Sequence, residues 1–282
     1  MEIIRIPRIM QDTCKKYLLK GRSIGLVPTM GALHRGHMSL VKRARMENDI
    51  SVVSIFVNPT QFGPSEDLER YPRDIENDIK KLREQEVDIL FLPDNALMYP
   101  NGFATHIHVD RISAKLCGSF RPGHFSGVAT VVAKFLNITD PARAYFGQKD
   151  FQQTVIISRM AKDLDLDVEI VVCPTIREQD GLAMSSRNLY LDSEQRKAAA
   201  ILYRCLSSAS EALLAGSYST AQARELMREI LAGEPFITKI EYASVYDTGT
   251  LDETDEVRGE VLLAVAVRMG DVRLIDNVLV NL

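Results

Sequence analysis

Ile24-Gly25-Leu26-Val27-Pro28-Thr29-Met30-Gly31-Ala32-Leu33-His34-Arg35-Gly36-His37 reads as a short strand, a glycine-bearing turn and the approach to a helix. Ile24–Val27 is an apolar run of strand length that stops at Pro28, and helical spacing starts at Met38. The same order recurs along the chain. Ser51–Val57, Ile89–Leu92, Ala144–Phe146 and Val168–Cys173 read as further buried strands. Met38–Glu47, Asp74–Glu86, Gly127–Asn137 and Phe151–Asp163 read as the helices between them. Such alternation predicts an α/β fold: a doubly wound, Rossmann-like parallel sheet with helices on both faces.

The pattern changes near Pro174–Arg187. Two helices, Ser193–Ala215 and Thr220–Ala232, precede three β-rich runs, Ile240–Tyr246, Val261–Val267 and Val272–Leu279. Helices followed by consecutive strands predict a smaller C-terminal α+β domain, so the expected division is residues 1–175 and 176–282.

Composition narrows the class. With 46% apolar and 26% charged residues the chain can build an ordinary core, and its formal charge of −4 lacks the basic excess of a nucleic-acid binder. Cys14, Cys117, Cys173 and Cys205 are far apart, with neither a CxxC nor a nearby histidine, which disfavours zinc and disulfides and suits a reducing cytoplasm. The charged N-terminus (Glu2, Arg5, Arg8, Asp12) does not resemble a signal peptide. No uncharged apolar run approaches the roughly 20 residues of a membrane span.

A strand-to-helix turn with two glycines lets backbone approach a phosphate, and the first turn of a helix offers N–H groups without partners. His34 and His37, three apart, can aim ring N–H donors at one anion, stabilising a pentavalent phosphate and protonating departing pyrophosphate. A metal pair and a structural cap are the alternatives, the first weakened by the lack of a third ligand at suitable spacing. Asn58 and Gln61, at the next strand end, carry amides suited to hydroxyls and a carboxylate, or form a plain Asn-Pro turn. At the fourth strand end Gly147 permits close approach, Lys149 brings a cation, Asp150 can cap a helix, and Gln153 lies one turn on. Ser185-Ser186-Arg187 reads as a phosphate-binding loop at the domain junction or as solvated loop. Arg121 can meet a carboxylate, His124 reads as structural, and His106 and His108 read as alternating on a strand.

Taken together, PTMGALHRGH, FVNPTQFG, YPR (Tyr71–Arg73), RPGHFSGV, FGQKDFQQ, GLAMSSRN and RLIDN (Arg273–Asn277) resemble the pantothenate synthetase, or pantoate–β-alanine ligase, family. The motifs run in family order from residue 28 to 277, and HRGH is similar to the HIGH signature of nucleotidyltransferases. The resemblance implies ATP-dependent condensation of pantoate with β-alanine through pantoyl adenylate, releasing pyrophosphate and AMP. It implies an ATP site at Met30, Gly31, Ala32, Leu33, His34, Arg35, Gly36, His37, Gly147, Gln148, Lys149, Asp150, Ile176, Met184, Ser185, Ser186 and Arg187. His37 would be the proton donor, with His34 and Lys149 on the phosphates; Gln61 and Gln153 would hold pantoate, and Gln61 also β-alanine.

The resemblance further implies that residues 1–175 bind nucleotide and pantoate, that 176–282 act as a lid, and that Gly63–Tyr71 is a mobile gate. Magnesium is expected with ATP, and a homodimer is implied. Asn77 and Lys81 stand where some members carry an acid and a glutamine near the metal, so no protein metal ligand is expected. Another HIGH-type nucleotidyltransferase adenylylating a cofactor precursor is the nearest alternative, and it would not need paired Gln61 and Gln153. A tRNA-charging enzyme is disfavoured by the acidic charge, and a non-catalytic nucleotide sensor would release no AMP.

Overall fold

The computed structural model describes residues 1–64, 66–255 and 259–281. Along the chain come β1 (Glu2–Ile4), α1 (Pro7–Leu18), β2 (Ile24–Thr29), α2 (Arg35–Glu47), β3 (Ile50–Ile55), α3 (Ile75–Glu84), β4 (Ile89–Phe91), α4 (Asn95–Met98), α5 (Cys117–Phe120) and α6 (His124–Thr139). Then follow β5 (Arg143–Gly147), α7 (Phe151–Asp163), β6 (Glu169–Cys173), α8 (Ser193–Ala198), α9 (Ile201–Leu214), α10 (Thr220–Ala232), β7 (Ile237–Asp247), β8 (Glu260–Met269) and β9 (Val272–Asn281). The chain divides into two compact units, Met1–Ser113, Arg121–Gly147 and Gln153–Pro174 forming the first and Ala114–Phe120, Gln148–Gln152 and Thr175–Leu282 the second.

In the first unit the sheet order is β1-β4-β3-β2-β5-β6, every pairing parallel. Alternate residues of each central strand serve different cores. Ile24, Leu26, Val52, Phe91, Ala144 and Phe146 pack with α1 and α6, whereas Val27, Val53, Ile55, Leu90 and Tyr145 pack with α2 and α3. Burial on both faces is why these strands read as largely apolar runs. The order reverses between β2 and β5, which puts the topological switch point at their carboxyl ends.

The sequence places the end of β2 at Pro28, but the strand runs to Thr29. Pro28 is tolerated because β5 pairs only with Gly25 and Leu26, so the missing N–H falls beyond that ladder. Helix α2 starts at Arg35, ahead of the expected Met38, because His34 caps it. The segment expected as Ser193–Ala215 is broken between Ala198 and Ile201. His106 and His108 do not lie on a strand: the backbone between them is held by side chains of α6, with Ile107 N–H donating to Thr130 Oγ1 (2.9 Å) and Ser126 Oγ donating to Ile107 O (2.9 Å). β1 and α1 have no counterpart among the expected elements; β1 is three residues long, and α1 buries only Met10 and Cys14 under a charged exterior.

The second unit contains the antiparallel sheet β7-β8-β9, with α9 and α10 contributing to a separate apolar core that includes Leu206, Met227, Leu263 and Leu274. Among the described residues no helix is long and apolar enough to cross a membrane.

Candidate active site

At the carboxyl end of β2 the chain turns sharply. Thr29 Oγ1 donates to Ser54 O at 2.7 Å and accepts from Gly31 N–H at 3.2 Å, which starts the turn. Gly31 (φ +84°) and Ala32 (φ +50°) both lie in the left-handed region, which glycine tolerates and alanine does not favour. The strain at Ala32 is held from α3. Asp78 is 1% exposed and accepts from Ala32 N–H at 2.8 Å and Leu33 N–H at 2.7 Å. Lys81 Nζ donates to Leu33 O at 2.5 Å. Burial pushes the Asp78 carboxyl above its ordinary 3.8, against the opposing pull of the two peptide N–H groups and Lys81.

The histidines close the turn. His34 Nδ1 accepts from Gly36 N–H at 3.2 Å, and His37 Nδ1 accepts from His34 N–H at 3.3 Å, a reciprocal box over the first turn of α2. The rings lie 4.0 Å apart. A nitrogen that accepts carries no hydrogen, so each capped ring bears its hydrogen on Nε2. The structural-cap and donor readings are therefore compatible: the caps choose the donor tautomer. His37 sits in the first turn of the helix, not in the loop before it.

Beyond β3, Asn58 is 1% exposed and fully employed. Its Oδ1 accepts from the hydroxyls of Thr60 (2.9 Å) and Tyr99 (2.8 Å), while Nδ2 donates to Gln61 Oε1 (3.0 Å) and Gly127 O (3.1 Å). Asn58 thus orients the Gln61 amide, leaving Gln61 Nε2 3.1 Å from Met30 Sδ in the β2–α2 turn. Gly127 allows α6 this approach, since a Cβ there would stand 2.3 Å from Thr60 O. Arg121 meets a carboxylate, Glu66, through Nε at 2.7 Å. His124 Nδ1 donates to Gln61 O at 2.7 Å, so its Nε2 accepts from Arg121 Nη1 at 3.0 Å. His124 is structural, and what it supports is Gln61. Ser65, in the expected gate Gly63–Tyr71, lies outside the described residues.

Of the remaining expected residues, Gly147 ends β5, and a Cβ added there would meet nothing within 4 Å. Gln153 is half-buried in the first turn of α7. In the second unit, Gln148–Asp150 forms a 3-10 turn in which Lys149 Nζ lies 4.0 Å from Asp150 Oδ1. Ile176 O accepts from Met184 N–H at 3.0 Å. Ser185 Oγ accepts from Arg187 N–H at 3.2 Å and caps the short helix beginning at Ser186, which is buried.

A profile described as Pantoate-beta-alanine ligase matches residues 2–279. A pantothenate synthetase of Thermodesulfovibrio yellowstonii is 57% identical over 281 residues, covering 100% of both chains. The crystal structure of pantothenate synthetase from Thermus thermophilus superposes with TM-score 0.94 at 45% identity, covering 99% of each chain. That of pantoate-beta-alanine ligase from Francisella tularensis, complexed with beta-gamma ATP and beta-alanine, superposes with TM-score 0.81 at 36% identity, covering 99% of this chain and 97% of that one.

The chain belongs to the pantoate–β-alanine ligase family. As a ligase of this family it joins the carboxyl carbon of pantoate to the amine of β-alanine. Two groups that hold this ligase's β2–α2 turn were not visible as such in the sequence. Asp78 and Lys81 stand in a helix some 46 residues from the loop they hold (the spacing of Asp78 from Ala32). The only hint was that Asp78 shares a helix face with Ile75, Ile79 and Leu82, three apolar side chains turned to the core.

Proposed function

We propose that the ligase works through pantoyl adenylate, with ATP bound over the β2–α2 turn. The pantoate carboxylate attacks the α-phosphorus of ATP and displaces pyrophosphate. The amine of β-alanine then attacks the acyl carbon, loses a proton and expels AMP, giving pantothenate. The observation that carries this reading is the His34–His37 box: two Nε2–H donors, tautomer chosen by backbone caps, beside a helix N-terminus. In this scheme His37 donates its Nε2–H as a hydrogen bond to the departing pyrophosphate, while His34 and Lys149 share the phosphate charge.

Met30 to His37, Gly147 to Asp150, Ile176 and Met184 to Arg187 line the nucleotide. The open space over Gly147 supports that assignment. Gln61, with its amide oriented by Asn58, meets both pantoate and β-alanine, and Gln153 meets pantoate. Magnesium enters with ATP as part of the substrate. Both oxygens of Asp78 are committed to peptide N–H groups and Lys81 brings a cation beside them, so phosphates and water would hold the ion. Residues 1–175 bind nucleotide and pantoate, 176–282 act as a lid and Gly63–Tyr71 as a gate. The buried free thiols Cys14, Cys117, Cys173 and Cys205 suit a cytoplasmic protein, and family likeness supports a homodimer.

Isotope exchange between pyrophosphate and ATP tests the order. Exchange is expected with pantoate alone, whereas AMP release requires ATP, pantoate and β-alanine together. Exchange equally fast without pantoate would overturn the scheme.

A further inference from the structure

The motif Arg273–Asn277 supplies no group to this reaction, yet two of its side chains are buried polar residues on a strand. Leu274 and Val280 of β9 face the apolar core of the second unit, and Asp276, which shares their face, is 1% exposed. A carboxylate at that depth is costly unless paired. Arg177 pairs it twice, Nη1 to Oδ2 at 2.6 Å and Nη2 to Oδ1 at 3.0 Å. The guanidinium also lies 3.9 Å over the Tyr203 ring and donates to Gly181 O at 3.1 Å. Gly181 adopts φ +92°, and a Cβ there would stand 2.3 Å from Tyr203 Cδ1. The bend from Arg177 to Ala183, which leads into Ser185–Arg187, is therefore seated on Asp276.

Asn277 faces the other way and is 4% exposed. Its Nδ2 donates to Gln148 O at 3.0 Å and to Lys149 O at 2.9 Å, so both amide hydrogens are spent on consecutive carbonyls of one turn. Its own N–H donates to Asp276 Oδ1 at 2.8 Å, and its O accepts from Arg177 Nη2 at 3.2 Å. The Gln148–Asp150 turn buries none of its residues, so polar contacts have to hold it.

We propose that Asn277 is a positioning residue for Lys149, and that the Asp276–Arg177 pair fixes the strand end from which it acts. Two pinned carbonyls set the direction in which the Lys149 side chain leaves the backbone. A lysine ammonium on its flexible stem is otherwise poorly confined. The inference rests on the proposal that Lys149 carries phosphate charge.

A double-mutant cycle on the full-length ligase tests it, read by turnover in pyrophosphate exchange, by KM for β-alanine and by thermal melting. Lys149→Ala is expected to lower turnover by ~10² or more, as loss of a preorganised charge does. Asn277→Ala is expected to lower it by ~10- to 100-fold, the scale of a misplaced catalytic group, with KM for β-alanine unchanged. The double variant should be no slower than Lys149→Ala. Asn277→Asp keeps the size but turns an acceptor toward both carbonyls; it should behave alike and serves the same cycle should the alanine variant misfold. Asn281→Ala, exposed at the end of the same strand, should match the parent protein. Losses that multiply in the double variant, or normal turnover with Asn277 replaced, would overturn the inference alone. Normal turnover in Lys149→Ala would instead overturn the site reading, and the inference with it.

Discussion

Replacing Asp78 with asparagine isolates what holds the β2–α2 turn. The carboxylate accepts Ala32 N–H at 2.8 Å and Leu33 N–H at 2.7 Å, one to each oxygen. Asparagine has the same shape but one oxygen, so one peptide donor would face an NH2 group. Losing a charged acceptor costs about 1.5–3 kcal/mol, and a stranded buried donor costs about 1–3 kcal/mol; these describe the same loss and are not summed. Burial disfavours the ionised carboxylate, so removing the charge returns part of it. A net loss of about 2 kcal/mol remains, or a melting point lowered by about 4–8 °C, taking 2–4 °C per kcal/mol for a chain of this order of size. The effect on rate should be larger in proportion. Ala32 at φ +50° has no reason to stay there once released, and a 1 Å shift of His34 and His37 is on the scale that costs ~10²-fold. Melting curves and pyrophosphate exchange measure both on one preparation. A lowered melting point with unchanged exchange turnover would refute the argument that Asp78 acts on the histidines through the turn.

Gln153→Ala should raise KM for pantoate by about tenfold, the size of one hydrogen bond to a charged group, with ATP use little changed. Selective loss of ATP binding would contradict its assignment. For Glu66, burial pushes the carboxyl up, but hydrogen bonding and charge from Arg121 outweigh it and leave the group below its ordinary 4.5. A depressed carboxylate stabilises the fold above the unfolded value and loses that contribution as pH falls through the folded one. The stability difference between the parent and Glu66→Gln should therefore be flat above about pH 5.5 and shrink as pH falls below 4.5. A difference independent of pH down to about 3 would show that the Glu66–Arg121 pair does not titrate as described.

Much of the first unit was legible because burial on both faces writes itself into composition: a strand such as Ile50–Ile55, buried at every position, has few polar alternatives. Elements whose stability comes from elsewhere were not legible. The three residues of β1 are ordered by pairing with β4, and the extended stretch around His106 and His108 by hydroxyls of α6. In the site, His34, His37 and Gln61 stood out by residue type, since few other side chains can do their chemistry. The groups that orient them did not. Asn58 read equally as a ligand contact or a plain turn, Lys81 as a replacement near the metal and His124 as structural, while nothing singled out Asp78.

The division has a physical reason. Periodic burial and backbone permissiveness are local properties, so the strand–turn–helix order, the doubly wound sheet and the chemistry available at its ends were determined by the sequence itself. Side-chain orientation and backbone strain depend on partners brought from distant positions. Only the tertiary structure decided that Asp78 would hold Ala32 in the left-handed region, that Asn58 would be shared between Tyr99 and Gly127, and that Asn277 would pin the turn of Lys149.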